Sequence, residues 1–294
     1  MKNKTICTEM CMDIRSFAEM VSRAVSEELG GNCQVKLQEV MKNNGVILQG
    51  LVILTGKQNL SPTIYLNSFL EAYEAGVSLV DIVAKILEIY SKDMPQHNVD
   101  MDFFREFDKV RSEICYRVVS RERNRLLLEH IPHVDFLDLS ICFFYSYRNP
   151  ALGSGSILIY NSHMDMWGCS TQALMKLAQE NTQRIYPWEI QNMSELFQGD
   201  IPMHVLSNRQ KIHGAACMLY PGVLGAAAEK VRENLYILPS SIHEVILMPE
   251  SVVDDVQYVK NMIHEVNTTQ VEPEEILSDN LYLYQCQENR IEVI

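Results

Sequence analysis

The spacing of apolar residues along the chain predicts alternating helices and strands. From Asp13 to Leu29 apolar side chains recur every three or four residues, which predicts an amphipathic helix that Asp13 caps and Gly30-Gly31 ends. Apolar and polar positions then alternate from Val35 to Met41, and an apolar run returns over 46–54. Asn43-Asn44-Gly45 between them tolerates positive φ, so this segment is predicted to form a β-hairpin.

The same criteria place the remaining elements. Further helices are predicted near 67–75, from Ser78 with Asp81 in a capping box, over 102–110 and 122–129, from Ser170 or Thr171, over 187–197, and after Ser251 and Asp254. Further strands are predicted over 63–66, 114–119, 137–147, 157–160 and 281–285, with a loop at Gly153-Ser154-Gly155.

The stretch from Met203 to Pro249 carries the densest set of polar residues on an apolar framework. Its pattern predicts two strands around the polar turn at 208–211, then a helix, then two more strands. We expect the polar side chains of this stretch to gather at one place on a sheet.

These elements predict an α+β fold, with mixed or mostly antiparallel sheets and packed helices. The polar segment Met94–Asp100, which contains Pro95, separates two helical patterns and is the best candidate for a link between lobes. We therefore divide the chain into an N-terminal α+β lobe, residues 1–97, and a C-terminal α+β lobe, residues 98–294. Whether the lobes are separate domains stays open on the sequence alone.

Composition and charge limit the classes of partner. The chain has 294 residues, of which 47% are hydrophobic, so it can bury a core, and its formal net charge is −13. From Glu244 to Ile294 there are eleven acidic residues against Lys260 and Arg290. Such a surface repels phosphate backbones, which argues against general nucleic-acid binding and against anionic membranes. A protein partner or a small polar ligand remains open, as does the oligomeric state.

Arg117, Arg121, Arg123 and Arg125 form a local basic exception. They have two interpretations, a solvated helix face or an anion site, and we favour the helix face.

The cysteines and the N-terminus indicate a cytoplasmic protein. Eight cysteines are scattered without a C-x-x-C pair, which suits a reducing compartment better than a disulfide framework. Cys7 and Cys11 stand four residues apart, but no histidine nearby completes a metal site. Glu9 and Asp13 interrupt the N-terminal segment, so we predict no signal peptide, and no apolar run reaches the ~20 residues that span a bilayer.

The candidate functional residues lie in the 203–249 stretch. They are polar side chains that we predict to bind a ligand or a partner: Asn208, His213, Ser240, Ser241, His243 and Glu244. If Ser240–Glu244 is extended, Ser241 and His243 share a face and Glu244 points away, so these neighbours alone make an awkward catalytic relay. The structural alternative is a strand junction in which the serines bond to the backbone, and Asn208 is most simply a turn residue.

No metal or cofactor site is predicted. His163 and Asp165 could supply two metal ligands, but no further ligands are spaced to complete the set, so a loop histidine is the favoured interpretation. The sequence contains no G-x-x-x-x-G-K-[ST], G-x-G-x-x-G, H-E-x-x-H or G-x-S-x-G motif. We expect no cofactor.

Two hypotheses of different class follow. The first is a non-catalytic protein that binds a protein partner or a small polar ligand. The second is a hydrolase or transferase in which His243 acts as base with Ser241, or a distal cysteine such as Cys217, as nucleophile. Whether the protein is an enzyme is therefore left open by the sequence.

Several segments resemble an uncharacterised bacterial family known only as a domain of unknown function. They are VMKNNGVILQGLVI, SPTIYL, RVVSRERNRLLLEHIPHVDFLDLSI, YILPSSIHEVILMPE, HEVN and PEEILSDNLYLY, which together span almost the whole chain. The resemblance implies occurrence in anaerobic gut bacteria and near mobile elements. It implies no activity and supplies no catalytic residues.

Overall fold

The structure is a computed structural model that describes residues 12–56, 61–93, 102–149, 153–196 and 202–294. The chain divides into two compact units. The first comprises Met1–Lys42 and Ile47–Asp100, and the second comprises Asn43–Val46 and Met101–Ile294. The predicted division at 97/98 falls in the polar segment Met94–Asp100, which lies outside the described residues. Cys7 and Cys11 also lie outside them. Both expectations therefore stay predictions.

The first unit packs three helices with a small antiparallel sheet. Its elements are α1 Ile14–Leu29, β1 Gln34–Met41, β2 Ile47–Leu54, β3 Thr63–Tyr65, α2 Asn67–Glu74 and α3 Leu79–Asp93, with strand order β1-β2-β3. Asp13 caps α1 by accepting the N–H groups of Arg15 and Ser16, and Ser78 accepts the N–H of Asp81 at the start of α3. The core beneath the sheet is built on Phe17, Leu51 and Ile86, which are fully buried.

The second unit contains the remaining elements. They are α4 Phe107–Val110, β4 Ile114–Ser120, α5 Arg125–Leu128, β5 His133–Phe136, β6 Leu139–Asn149, β7 Gly153–Leu158, α6 Asn161–Trp167, α7 Thr171–Ile185, β8 Trp188–Asn192, α8 Met193–Leu196, β9 His204–Asn208, α9 Val223–Val231, β10 Leu235–Leu238, β11 Val245–Pro249, α10 Val256–Thr269, β12 Tyr282–Gln285 and β13 Arg290–Val293. Short 3-10 turns occupy Asp102–Arg105, Arg111–Glu113, Gly214–Leu219 and Glu250–Val252.

Two antiparallel sheets organise this unit. A four-stranded sheet pairs β6 with β4 along one edge and with β5 and β7 along the other. A six-stranded sheet has the order β13-β12-β10-β11-β9-β8. The largest core cluster joins residues of both sheets, among them Tyr116, Phe143, Ile237 and Tyr282. All strand pairs among the described residues are antiparallel and helices pack on the sheets, so the predicted α+β class is confirmed.

The turn Asn43–Gly45 belongs to the second unit. Asn44 adopts positive φ, and its backbone N–H donates to the Asn124 side chain at 2.9 Å while its own amide donates to Ile276 O. The predicted conformation of this turn is therefore correct.

The prediction for 203–249 is correct in three strands and the helix, and wrong in the second strand. β9, α9, β10 and β11 form, but the residues after the polar turn make the 3-10 helix Gly214–Leu219. Gly214, Ala215 and Ala216 are small, so this segment packs as a buried turn in the core instead of pairing at a sheet edge.

Four other local predictions are wrong. Residues 187–197 were expected to be helical, but Trp188–Asn192 pairs with β9 as a strand and only the short α8 follows. Gly153-Ser154-Gly155 lies in β7 and pairs with β6, because a neighbouring strand overrides the local loop preference of glycine and serine. His163 and Asp165 lie in α6, not in a loop.

The last error concerns the cap of α10. Asp255 accepts the N–H groups of Gln257 and Tyr258, while Ser251 donates to Glu233 instead. The side chains of Ser251 and Asp255 are both suited to capping a helix. Ser251 lies in the turn Glu250–Val252, outside the helix, so Asp255 is the cap.

Candidate ligand-binding site

The loop after β9 is shaped by the side chain of Asn208. Its amide nitrogen donates to Ile212 O at 2.7 Å, and its oxygen accepts the N–H groups of Gln210 and Ile212 at 3.1 and 3.3 Å. Asn208 is 1% exposed. Its polar atoms are therefore engaged in holding the loop, which positions His213 at its end.

Gly214 allows this loop to approach the β10–β11 connection closely. A Cβ on Gly214 would lie 2.1 Å from Ser207 Oγ and 2.4 Å from the backbone oxygen of His243, which real side chains do not tolerate. In the same place Ser207 Oγ donates to His243 O at 2.7 Å, and Ala215 N–H donates to Ile242 O at 3.2 Å. A glycine is thus required for the end of β9 to reach His243.

His213 and His243 meet ring to ring. Their centroids lie 6.0 Å apart with the planes at 9°, and the backbone N–H of His213 donates to His243 Nδ1 at 3.3 Å. His243 Nε2 lies 3.3 Å from Glu275 Oε1. Since Nδ1 accepts a hydrogen bond and Nε2 faces a carboxylate, both ring nitrogens of His243 have partners and the proton belongs on Nε2.

The other predicted residues contribute less. Ser241 Oγ accepts the backbone N–H of His243 at 3.0 Å, and Ser241 forms an isolated bridge with Ile276. Within the described residues, the side chains of Ser240 and Glu244 make no hydrogen bond or ion pair, and Glu244 is exposed. The structure therefore brings Asn208, His213, Ser241 and His243 together, and leaves Ser240 and Glu244 without a shown role there.

Phe144 and Arg117 belong to the same neighbourhood, and sequence analysis missed both as site residues. The Phe144 ring, on β6, lies 5.5 Å from the His213 ring at 63°. Arg117 lies on β4, and its charge acts on His213. The sequence signal was the arginine cluster itself, which we assigned to a solvated helix face.

That interpretation of the arginines is wrong. Arg117 lies in a strand, where its Nε is buried without a hydrogen-bond partner. Arg121, Arg123 and Arg125 instead pair with Asp135, Asp279 and Glu122. The four arginines do not share a helix, because 121–124 form a turn between β4 and the short α5.

The electrostatics around His213 favour its neutral form. Burial, then the charge of Arg117, then His243, lower the pKa of His213 from 6.5 to about 3. Burial also lowers the pKa of Arg117, because a charged guanidinium is disfavoured away from water. His213 Nδ1 is buried and has no hydrogen-bond partner in the described chain.

A cleft of about 280 Å³ opens beside these residues. Phe144 and Ile212 give it apolar walls, and its polar lining consists of hydroxyl and amide side chains together with the backbone of a glycine. The polar side chains and the glycine are Ser146, Ser154, Ser156, Tyr186, Gln210 and Gly155. Ser146 and Tyr186 share a hydrogen bond of 2.9 Å, and Gln210 donates to Ile185 O. These bonds fix the hydroxyl groups of Ser146 and Tyr186 and the amide of Gln210 in place.

His243 does not form a catalytic relay with Ser241 or with Cys217 in this structure. Among the hydrogen bonds of the described residues, Ser241 Oγ meets the backbone of His243 and not its ring. Cys217 is fully buried in the core, and burial raises its pKa to about 12, so a thiolate is disfavoured. Neither nucleophile is placed for attack.

The histidines and acidic side chains do not gather into a metal site within the described residues. Within the described ranges no group of three or more His, Cys, Asp or Glu side chains is arranged to hold a metal ion. His163 Nδ1 accepts the backbone N–H of Tyr160, and its ring packs against Phe104 and Trp167. The side chain of His163 therefore has a structural role at the start of α6.

Comparison with family models tests the resemblance that several segments of the sequence indicated. A family of unknown function, DUF5688, matches residues 14–286, which include Arg117, Phe144 and the whole 208–244 region. The chain belongs to the DUF5688 family. Curated proteins and solved structures gave no match to this DUF5688 chain. In its described part, no helix combines the length and the apolar character needed to cross a membrane.

Proposed function

We propose that this protein binds a small polar ligand, without catalysis, in the cleft between β6–β7 and the loop 208–213. The observation that carries the proposal is the lining of the cleft: an aromatic and an aliphatic side chain face four hydroxyl groups and one amide. Small-molecule sites combine apolar walls with a few placed polar groups in this way. A volume of about 280 Å³ suits a ligand of metabolite size.

The hydrogen bonds around His243 and Ser241 favour binding without catalysis. A general base needs a free ring nitrogen, and both nitrogens of His243 are engaged, by His213 N–H and by Glu275. A nucleophile needs such a base within reach, and Ser241 bonds to backbone instead. These contacts support binding over turnover.

One apolar groove of the first unit supports a polar ligand less well. A groove of about 380 Å³ between α1 and α3 is lined almost wholly by aliphatic side chains and two glutamates, so it offers little for orienting a polar molecule. A cytoplasmic location is part of the proposal. It is supported by the six described cysteines, none of which forms a disulfide within the described residues.

The test uses the full chain and a library of small polar metabolites. A ligand that binds the native state raises the melting temperature by mass action, so thermal unfolding identifies hits. Ser156→Tyr places a bulky side chain in the cleft, because Ser156 pairs with Ser146 and shares its face. Ser91→Tyr, on the exposed face of α3, is the matched control.

We expect at least one hit that stabilises the wild type and the Ser91→Tyr variant but not the Ser156→Tyr variant. A library without hits, or hits that stabilise Ser156→Tyr as strongly as the wild type, would contradict the proposal.

A further inference from the structure

Arg117 lies next to the cleft on the same face of the four-stranded sheet. It is paired with Cys142 of β6, and Cys115, two residues earlier, is paired with Phe144. Directly paired residues of antiparallel strands point to the same face, so Arg117 and Phe144 occupy adjacent rows, about 7 Å apart along the strands. Phe144 forms a wall of the cleft and contacts the His213 ring.

The surroundings of Arg117 are apolar. The row on one side belongs to a cluster of Cys115, Phe144, Ile185 and Tyr186. Cys142 and the row on the other side belong to a cluster of Val119, Leu128, Ile131 and Cys142. A guanidinium between two apolar clusters loses much of its hydration, and proteins compensate for that loss with a counter-charge or hydrogen bonds.

No such compensation is present within the described residues. Arg117 makes no side-chain hydrogen bond or ion pair there, and its Nε is buried without a partner. Asp135, the acidic residue in the next row, pairs with Arg121 and Ser140 instead. Glu275 pairs with His243. The carboxylates of Asp135 and Glu275 are thus engaged with other residues.

His213 provides a second unsatisfied polar group near Phe144. His213 Nδ1 is buried and unpartnered, and the ring makes its contacts through Phe144 and His243. His213 is held there by a left-handed backbone conformation, φ 53°, which is costly for a residue other than glycine. The strained loop thus places the unsatisfied ring of His213 within the field of the Arg117 charge, where one ligand group could contact both residues.

We propose that Arg117 binds an oxyanion group, a carboxylate or a phosphate, of the small ligand that occupies the cleft, with His213 as a neighbouring polar contact. This inference rests on the proposed function, and it names the chemical class of the ligand. Planar guanidinium groups bind both oxyanions through paired, charge-assisted hydrogen bonds, which is why arginine suits this position. The remainder of the ligand would lie against Phe144 and the hydroxyl groups of the cleft.

The experiment titrates the full chain with two probes, inorganic phosphate and malonate, at constant ionic strength set by sodium chloride. Melting temperature and isothermal calorimetry are read for the wild type, Arg117→Met, Arg117→Lys and the control Arg125→Met. Arg125 is exposed and pairs with Glu122, so its removal leaves the cleft unchanged. The two probes distinguish a phosphate site from a carboxylate site.

We expect one probe or both to stabilise the wild type and Arg125→Met saturably. Arg117→Met should lose the response, and Arg117→Lys should bind at least about tenfold more weakly, because lysine keeps the charge but not the paired geometry. Arg117→Met should also melt at or above the wild-type temperature without anion, since a partly buried cation without a counter-ion is removed. If Arg117→Met does not fold, the lysine variant decides.

The inference is overturned if neither probe stabilises the wild type beyond the chloride control, or if the Arg117 variants respond like the wild type. The library hits separate this inference from the proposed function. A hit lost in Ser156→Tyr but kept in Arg117→Met overturns the oxyanion contact and leaves ligand binding intact. A hit lost in both variants supports ligand binding and the oxyanion contact. A library without hits overturns ligand binding, and the probe titration then tests the anion contact of Arg117 separately.

Discussion

The imidazole rings of His213 and His243 lie parallel, with centroids 6.0 Å apart, although thirty residues separate them in the chain. The backbone N–H of His213 also donates to Nδ1 of the His243 ring. This pairing fixes the end of the loop that borders the cleft. It also determines which nitrogen of His243 carries the proton.

The first prediction concerns that proton. Because Nδ1 of His243 accepts a hydrogen bond and Nε2 faces Glu275, neutral His243 should be protonated on Nε2. Long-range ¹H–¹⁵N correlation spectra of the imidazole nitrogens report the tautomer directly, and Glu275→Gln should preserve it. A spectrum with the proton on Nδ1 would rule out the hydrogen bond from His213.

The second prediction concerns Gly214. Gly214→Ala places a methyl group against Ser207 Oγ and against backbone atoms of His243 and Asn208, so we expect a loss of unfolding free energy of about 2–4 kcal/mol. Gly225→Ala is the matched control, because its Cβ would meet only the Tyr284 hydroxyl at 3.5 Å and alanine favours the helix α9. It should be neutral or stabilising by up to about 1 kcal/mol.

Chemical denaturation of the three proteins measures both values. Equal stability of Gly214→Ala and the wild type would show that the loop and the β10–β11 connection are not in close contact.

The third prediction concerns the pH dependence of stability. The folded state holds the pKa of His213 at about 3, against an ordinary value of 6.5, so the unfolded chain binds this proton first as the pH falls. The contribution of His213 is complete above about pH 6.5 and is lost towards about pH 3, by on the order of 5 kcal/mol.

His213→Asn removes the titrating group and keeps a residue that tolerates positive φ. Its unfolding free energy should fall less steeply with decreasing pH than that of the wild type. Parallel pH profiles for the two proteins would mean that His213 is exposed to water.

The fourth prediction concerns thiol reactivity. Cys286 is exposed, whereas Cys115, Cys142 and Cys217 are buried, and burial raises the pKa of both Cys142 and Cys217 to about 12. Brief alkylation of the native protein, mapped by mass spectrometry, should modify Cys286 and spare the three buried thiols. Unfolding in urea should expose them all. Rapid labelling of Cys217 in the native protein would contradict its burial and would support its role as a nucleophile.

The sequence predicts the elements well where local signals agree with packing. Asp13, Asn44 and Ser170 each perform the capping or turn role that their chemistry favours. The prediction fails where a distant strand decides, as in β7, whose glycines and serines are held by β6, and in β8, which pairs with β9. The local sequence pattern does not predict stabilisation by a strand that is distant in the chain.

The candidate site was predicted in part for the same reason. The polar cluster at 208–243 could be located because its residues interrupt apolar strands. Arg117 and Phe144 could not be attached to it, because only the antiparallel register of β4 and β6 and the packing of the 208–213 loop bring them near His213. An arginine inside the strand pattern of 114–119 was the one usable signal.

The measurement that tests the central claim most directly is the ¹H–¹⁵N resonance of the Arg117 Nε–H group, assigned by its disappearance in Arg117→Met, during titration with the phosphate and malonate probes. An unpaired, buried Nε–H that receives an oxyanion should move downfield and saturate, while the Arg125 resonance stays in place. An Arg117 resonance that does not move with either probe would contradict the assignment of this residue to ligand binding.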